Sequence, residues 1–565
     1  MANPTSFRTT IESRLRFIYK ENYKGKITDD LLSVIEKYEQ KEGSSTKWDE
    51  KDVVLITYGD SIKTTGEQPL KTLHHFLNKQ LKEQLTVVHI LPFFPFSSDD
   101  GFSVIDFREV NPELGSWDDV TDLNHDFDLM ADLVINHASS NNQWFQNFLK
   151  QEGVGKDYFI CEDPGKDLSQ VTRPRSTPLL TPYETAGGIK HVWTTFSADQ
   201  VDLNFANPAL LVEMMDILLG YISKGARIIR LDAIAFLWKI VGSTCLHLPE
   251  THEVVKLMRD VAEYINPSVV ILTETNVPNK ENLSYFGNDD EAHMVYQFSL
   301  PPLLLHALHT GNSSYLTTWA KSLPQLEGDK TFFNFTASHD GIGVRPLEGL
   351  LPDDEKLALV ENMQKFGGKV NYKSNPDGST SPYELNITYF DALKGTYKVE
   401  DELQVKRFLA SQIVMMSFAG VPAFYIHSLT ATPNYQEGVK QTGHNRTINR
   451  RKWQLNELDE ILNSETPQKT VFNELKRLIS LRKQQSAFHP NAEQEILDMG
   501  SNLFGLIRKC KDQSILCVVN LSAEIKSAEW PDEYSFDLIT GSEIQAKELA
   551  PYQCLWLTGP AVFKG

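Results

Sequence analysis

The chain is short of cysteine, of positive charge and of long apolar runs. Its 565 residues hold five cysteines. These are Cys161, Cys245, Cys510, Cys517 and Cys554, odd in number and without metal-ligand spacing, which excludes a disulfide scaffold and a cysteine-ligated zinc site. Reduced thiols in a cytoplasmic protein are the expectation. Lys and Arg number 55 against 75 Asp and Glu, a net charge of −20, and that balance argues against a nucleic-acid or anionic-membrane surface as partner. No apolar run approaches the ~20 residues of a membrane-crossing helix. The opening Met1-Ala-Asn-Pro-Thr-Ser-Phe has no basic region followed by an apolar stretch, so no secretory leader is expected.

What is present is an ordinary globular composition, 41% hydrophobic and 23% charged, in a chain too long for one core. Short β-rich apolar runs alternate with helical stretches, the pattern of repeated βα units. Strands are expected at Val53–Thr57, Thr86–Leu91, Leu129–Ile135, Ala226–Leu231, Val269–Thr273, Met294–Ser299, Thr331–Phe335 and Val421–Ile426. Eight such strands fit one (β/α)8 barrel. Two long turn-rich intervals break the spacing. The first carries Arg173-Pro174-Arg175-Ser176-Thr177-Pro178, and the second Gly367-Gly368 and Asn375-Pro376-Asp377-Gly378-Ser379. Loops of that length on a barrel are usually lids or small inserted domains.

After an amphipathic helix around Val471–Gln485, further short strands are expected at Leu503–Ile507, Ser514–Val519, Phe536–Ile539 and Cys554–Leu557. The expected organisation is α/β: a TIM barrel from residues 1–137, 205–345 and 400–485, with inserted lids at 138–204 and 346–399. An antiparallel β domain at 486–565 follows.

Three strand-end motifs carry the chemistry: Arg230-Leu231-Asp232, Thr273-Glu274-Thr275 and Ser338-His339-Asp340. Residues at the C-terminal ends of barrel strands build the active site of such folds. Retaining cleavage of a glycosidic bond needs a carboxylate nucleophile and a carboxylic acid only ~5 Å apart. Arg230 would keep Asp232 ionised and oriented. Glu274, after the apolar Val269–Leu272, is the better proton donor because an apolar surround raises a carboxyl pKa. Asp340 beside His339 could bind sugar hydroxyls and stabilise positive charge on the ring. In Asp132-Leu-Val-Ile-Asn136-His137 the same logic brings Asn136 and His137 to that face.

The four ordered segments DLVINH, ARIIRLDAIAF, ILTETN and FTASHD resemble those of glycoside hydrolase family 13, the alpha-amylase superfamily. That resemblance implies a nucleophile at Asp232, a general acid/base at Glu274 and transition-state stabilisation by Asp340, with Arg230, His137 and His339 around them. Within the family the chain looks like the sucrose phosphorylase branch, through DDGFSVIDFREVNPELGSWDD from Asp99 to Asp119. The likeness implies that Arg446, in GHNRTINR, pairs with Asp99 around the terminal glucose, with Phe102 and Phe196 as apolar platforms. Some amylase relatives bind calcium near the Asn136 position, but no clustered Asp/Asn loop completes a site here, and neither a metal nor another cofactor is expected.

A phosphorylase must offer cations to phosphate. The resemblance gives that role to Arg173 and Arg175 of the first lid, and the second acceptor loop to Tyr383 and Glu384 in SPYELN. Asn276 replaces a His, and Phe236 a Tyr, of sucrose-specific members. TETNVP together with RPRxxPLLTP is more like the phosphorylases of glucosylglycerol and glucosylglycerate. Glu384 suits a neutral acceptor better than an acid. The expected reaction is therefore phosphorolysis of a small α-glucoside, first 2-O-α-glucosylglycerol, with glucosylglycerate and sucrose as alternatives and hydrolysis less favoured. The partners are that glucoside and inorganic phosphate.

Overall fold

The protein is described by a computed structural model covering residues 4–41, 46–375 and 377–559. Met1, Ala2 and Asn3 of the opening segment, Pro376 of the expected turn and residues 560–565 of the expected β domain lie outside the described residues. The barrel strands are β1 (Val54–Thr57), β2 (Val87–Ile90), β3 (Asp128–Val134), β4 (Ala226–Asp232), β5 (Val270–Thr273), β6 (Met294–Tyr296), β7 (Thr331–Phe335) and β8 (Val421–Tyr425). They pair in parallel in chain order, and β8 closes on β1. Every residue of β1, β2, β5, β7 and β8 is buried. Strands covered on both faces read as continuous Val/Ile/Leu runs, because neither face meets water. The expected Met294–Ser299 strand is shorter because Ser299 begins the turn into the helix Leu300–Thr310.

The outer ring includes helices Pro69–Gln80, Pro208–Ser223 and Pro249–Ile265. Each opens on a proline, whose missing N–H is not needed there. The expected helix near residue 471 runs Pro467–Arg482, capped by the Thr466 hydroxyl accepting from Lys469 N–H. Two N-terminal helices, Pro4–Tyr19 and Lys26–Ile35, pack on this ring. The first buries Phe7, Ile11, Leu15 and Ile18, a 3.6-residue period legible in the sequence.

Two excursions leave the C-terminal ends of the barrel strands. Between β3 and β4, His137–Ser139 pairs with Gln200–Asp202, and Leu180–Thr185 forms a hairpin with Gly188–Trp193. Between β7 and β8 stands a three-stranded antiparallel sheet of Ile342–Gly343, Thr380–Asn386 and Lys369–Ser374.

The C-terminal sheet has six strands in the order Glu493–Leu497, Leu503–Cys510, Gln513–Asn520, Cys554–Thr558, Phe536–Asp537, Ser542–Glu543. The expected Phe536–Ile539 strand stops at Asp537, whose carboxylate accepts from the Ile539 and Thr540 N–H groups and turns the chain. Among the described residues no helix is long and apolar enough to cross a membrane.

Candidate active site

Parallel register places Asp132 of β3 beside Arg230 of β4, and Val134 beside Asp232. Arg230, 2% exposed, donates from one nitrogen to Asp132 and, at 2.8 Å, to Asp232. Its second terminal nitrogen is 3.9 Å from the Glu274 carboxylate. His89 holds the far oxygen of Asp132 at 2.6 Å. Burial works to raise the Asp132 carboxyl, but Arg230 and His89 outweigh it and hold the group below its ordinary range. Asp132 is thus a fixed anion that orients the guanidinium.

Glu274 follows β5, and its Oε2 accepts the Ala233 N–H at 3.0 Å. Ala233 itself sits in the left-handed region, φ +52°, an uncommon conformation for a residue with a Cβ. Burial raises both Asp232 and Glu274, with Arg230 opposing in each case. Glu274 adds to the rise at Asp232, and Asp340 to that at Glu274. Two neighbouring carboxyl groups in such a site titrate as a pair. The direct hydrogen bond from Arg230 assigns the negative charge to Asp232 and leaves the proton to Glu274.

Asp340, beyond β7, is the third carboxylate. Burial would raise it, but Arg446, Arg230, Arg450 and Arg175 together lower it. Its Oδ1 forms an ion pair with a terminal nitrogen of Arg446 at 2.8 Å. His339 stacks on Phe102 with ring centroids 4.7 Å apart and planes 2° from parallel. Burial first, then Arg450 and Arg230, push the His339 imidazole well below its usual range. His137, lowered mainly by burial, binds the Phe102 carbonyl through Nε2 at 2.8 Å. Both rings are therefore neutral hydrogen-bonding groups near neutral pH.

One cavity brings together Asp99, Phe102, His137, Arg175, Phe196, Asp232, Phe236, Glu274, Asn276, His339, Asp340, Tyr383, Glu384 and Arg446. Arg230 lies directly beneath, within the barrel mouth. Phe196 meets His137 and Phe236 at centroid distances of 5.2 and 5.4 Å. Arg175 lies between the rings of Phe196 and Tyr383, 5.6 and 5.3 Å from their centroids. Asn276 turns a buried Oδ1 with no protein partner towards Gly343, where a Cβ would approach to 2.5 Å. Glycine at 343 makes room for it.

The two arginines of the first lid part company. Arg173 is absent from this cavity; it donates to the Thr177 carbonyl and lines a separate cleft of about 560 Å³. The chain folds back over Arg173–Thr177, so residues two apart project into different spaces.

Glu384 lines this cavity and pairs with Arg446. It is 1% exposed, and its two oxygens take Arg446 Nε at 3.0 Å and a terminal nitrogen at 2.7 Å. Burial works to raise it, but Arg446 holds it below its ordinary range. Arg446 in turn is 3.7 Å from Asp99, farther than from Asp340 or Glu384. Arg450, which sequence reasoning passed over, approaches Asp99 at 3.4 Å, binds Asp100 at 2.8 Å and donates Nε to the His339 carbonyl at 2.9 Å. The signal was present in the second arginine of NRTINR, one helical turn beyond Arg446. Asp99, Asp100 and Gly101 all have positive φ, and a Cβ on Gly101 would lie 2.6 Å from the Pro92 carbonyl. At Asn136, Oδ1 accepts from Lys239 Nζ at 2.7 Å, and the same ammonium pairs with Asp202 at 2.7 Å.

An eight-stranded parallel barrel whose mouth gathers two buried carboxylates and a third held by arginines has the make-up of a glycoside-processing site. The model of the alpha amylase catalytic domain matches residues 79–340. The chain is 47% identical over 531 residues to a glucosylglycerate phosphorylase of Spirochaeta thermophila, covering 90% of each. It is 30% identical to a glucosylglycerol phosphorylase of Marinobacter adhaerens, covering 78% of this chain and 89% of that one. The crystal structure of a sucrose 6F-phosphate phosphorylase from Thermoanaerobacter thermosaccharolyticum superposes with a TM-score of 0.74 at 27% identity, covering 85% and 95%. The chain belongs to the alpha-amylase superfamily, in its branch of glucoside phosphorylases. It is an enzyme of the hexosyl-transferring, phosphorylase type.

Proposed function

We propose that this enzyme is a retaining phosphorylase of 2-O-α-glucosylglycerate, releasing glycerate and α-glucose 1-phosphate. The observation that carries this reading is the gap between 47% identity to a glucosylglycerate phosphorylase and 30% to a glucosylglycerol phosphorylase. It moves the best substrate away from glucosylglycerol, and the site supports the move. The repulsion of an acid by Glu384 is weakened, because Arg446 pairs with that carboxylate through two bonds.

In this reading Asp232 attacks the anomeric carbon while Glu274 protonates the departing glycerate oxygen. Phosphate then enters beside Arg175 and Tyr383 and displaces Asp232, and two inversions restore the α configuration. Asp340 and its arginine, with His137 and His339, hold the sugar hydroxyls, and Phe102 and Phe196 exclude water from the ring faces. The five unpaired cysteines support a reducing, cytoplasmic compartment.

The test is to incubate the enzyme with glucosylglycerate, glucosylglycerol or sucrose plus phosphate and measure glucose 1-phosphate and free glucose. Glucosylglycerate should give the highest kcat/KM, with glucose 1-phosphate as product. A preference for glucosylglycerol, or free glucose in excess at saturating phosphate, would refute the assignment.

A further inference from the structure

Beyond the catalytic cavity, the two lids line the cleft of about 560 Å³, with Tyr383 forming part of both walls. Its charged lining is Arg173 from the first lid with Arg345 and Lys373 from the segment after β7, and among the described residues no carboxylate side chain lines it. In a chain of net charge −20, three cations lining one cleft with no acid among its described lining residues is a selective arrangement. Ser169, Thr172 and Asn375 add neutral polar residues to its lining.

Arg345 is the least satisfied of the three. Its side chain is 12% exposed, its nearest acid is Glu281 at 3.7 Å, and its Nε is buried without a partner. Glu281 is itself committed to His247 at 3.0 Å. Among the described residues no acceptor takes a hydrogen bond from the Arg345 guanidinium, although such a group offers five donors in a fixed fork. Lys373 reaches Glu348 at 3.2 Å, which leaves an ammonium two further donors. The Arg345 Nε is thus buried without an acceptor, which is unfavourable unless a ligand or water supplies one.

We propose that this cleft is an anion-binding site, with Arg345 as its principal ligand and Lys373 and Arg173 in support. The bound group is a carboxylate or phosphate oxyanion, delivered to the acceptor side of the catalytic cavity past Tyr383. A planar carboxylate or a phosphate face matches the guanidinium fork in two parallel bonds. Tyr383, which lines both spaces, stands where such an anion would pass from one to the other. The carboxylate arm rests on the glycerate reading given above; the phosphate arm does not.

The experiment is steady-state kinetics of Arg345→Gln, Arg345→Lys and Lys373→Gln in both directions. In synthesis from glucose 1-phosphate, glycerate is compared with glycerol as acceptor; in phosphorolysis, phosphate is varied. If the site holds the acceptor carboxylate, Arg345→Gln raises KM for glycerate by ~10–100-fold, leaves KM for glycerol and phosphate within about twofold, and Arg345→Lys recovers part of the loss. If the site holds phosphate, KM for phosphate and for glucose 1-phosphate rise with every acceptor. Unchanged KM for glycerate, phosphate and glucose 1-phosphate in all three variants would overturn the proposal. So would an equal loss of kcat on every substrate with a lowered melting temperature, since that marks a structural role. Wild-type enzyme that refuses glycerate sinks the glycerate reading alone, because the phosphate arm can still succeed.

Discussion

Replacing Glu384 by glutamine separates the role found for this carboxylate from that of an acceptor ligand. In the native site Oε1 takes Arg446 Nε at 3.0 Å and Asn371 Nδ2 at 3.2 Å, and Oε2 takes an Arg446 terminal nitrogen at 2.7 Å. Glutamine keeps the shape and one carbonyl oxygen but opposes an NH2 group to the guanidinium. One charge-assisted bond is lost, typically worth ~1.5–3 kcal/mol. The larger ~3–5 kcal/mol of a fully broken buried pair does not apply, because Asp340 at 2.8 Å and Asp99 at 3.7 Å still balance Arg446.

The expected outcome for Glu384→Gln is a stability loss of ~2 kcal/mol in denaturant titration. A fall in kcat of about tenfold should accompany it, equivalent to ~1.4 kcal/mol, as Arg446 is drawn towards Asp340. KM for phosphate should stay level or fall, since a negative charge has left the acceptor side. The reasoning is refuted if the variant unfolds like wild type while KM for the acceptor rises tenfold or more. That result would make Glu384 a direct ligand of acceptor hydroxyls.

Three further outcomes are expected. Glu274→Gln should lower kcat/KM for a glucoside by ~10²–10⁴ and abolish the alkaline limb of the pH profile. That limb lies above the ordinary carboxylate range because burial raises Glu274; a smaller loss is expected with glucose 1-phosphate, whose leaving group departs without protonation. Asp232 is raised by burial above its unfolded value of about 3.9. Its stability contribution is thus present below that pH and lost as the pH rises through the folded value. Asp232→Asn should accordingly be inactive yet more stable at pH 7, by ~0.5–2 kcal/mol, with the gain shrinking towards pH 4 in thermal melts. Arg450→Gln removes the cation nearest Asp99 and Asp100, so calorimetric titration of glucose into the enzyme should show binding weakened by ~10-fold or more. Affinity equal to wild type would assign that role to Arg446 alone.

Much of the barrel was legible because its signal is local. Burial on both faces makes strands such as Val87–Ile90 and Val270–Thr273 apolar without interruption, and the alternating helices complete the pattern. Strand-end residues such as Asp232 and Glu274 could be read for the same reason, since a parallel barrel sends every strand end to one rim. The strand Glu493–Leu497 escaped notice because its burial alternates between exposed and half-buried, which leaves little apolar contrast. The first N-terminal helix carries its own 3.6-residue period at Phe7, Ile11, Leu15 and Ile18.

By itself the sequence determined the class of chemistry: the order of the carboxylates, the arginine two residues before Asp232, and the lengths of the two lids. Tertiary structure alone decided how the charges are shared. Arg446 pairs with Glu384 across 62 residues, Arg450 reaches Asp99 across 351, and Arg173 and Arg175 face different spaces although one proline separates them. Coulomb energy falls with distance in space, and the chain brings these groups together only after both lids have folded over the barrel mouth.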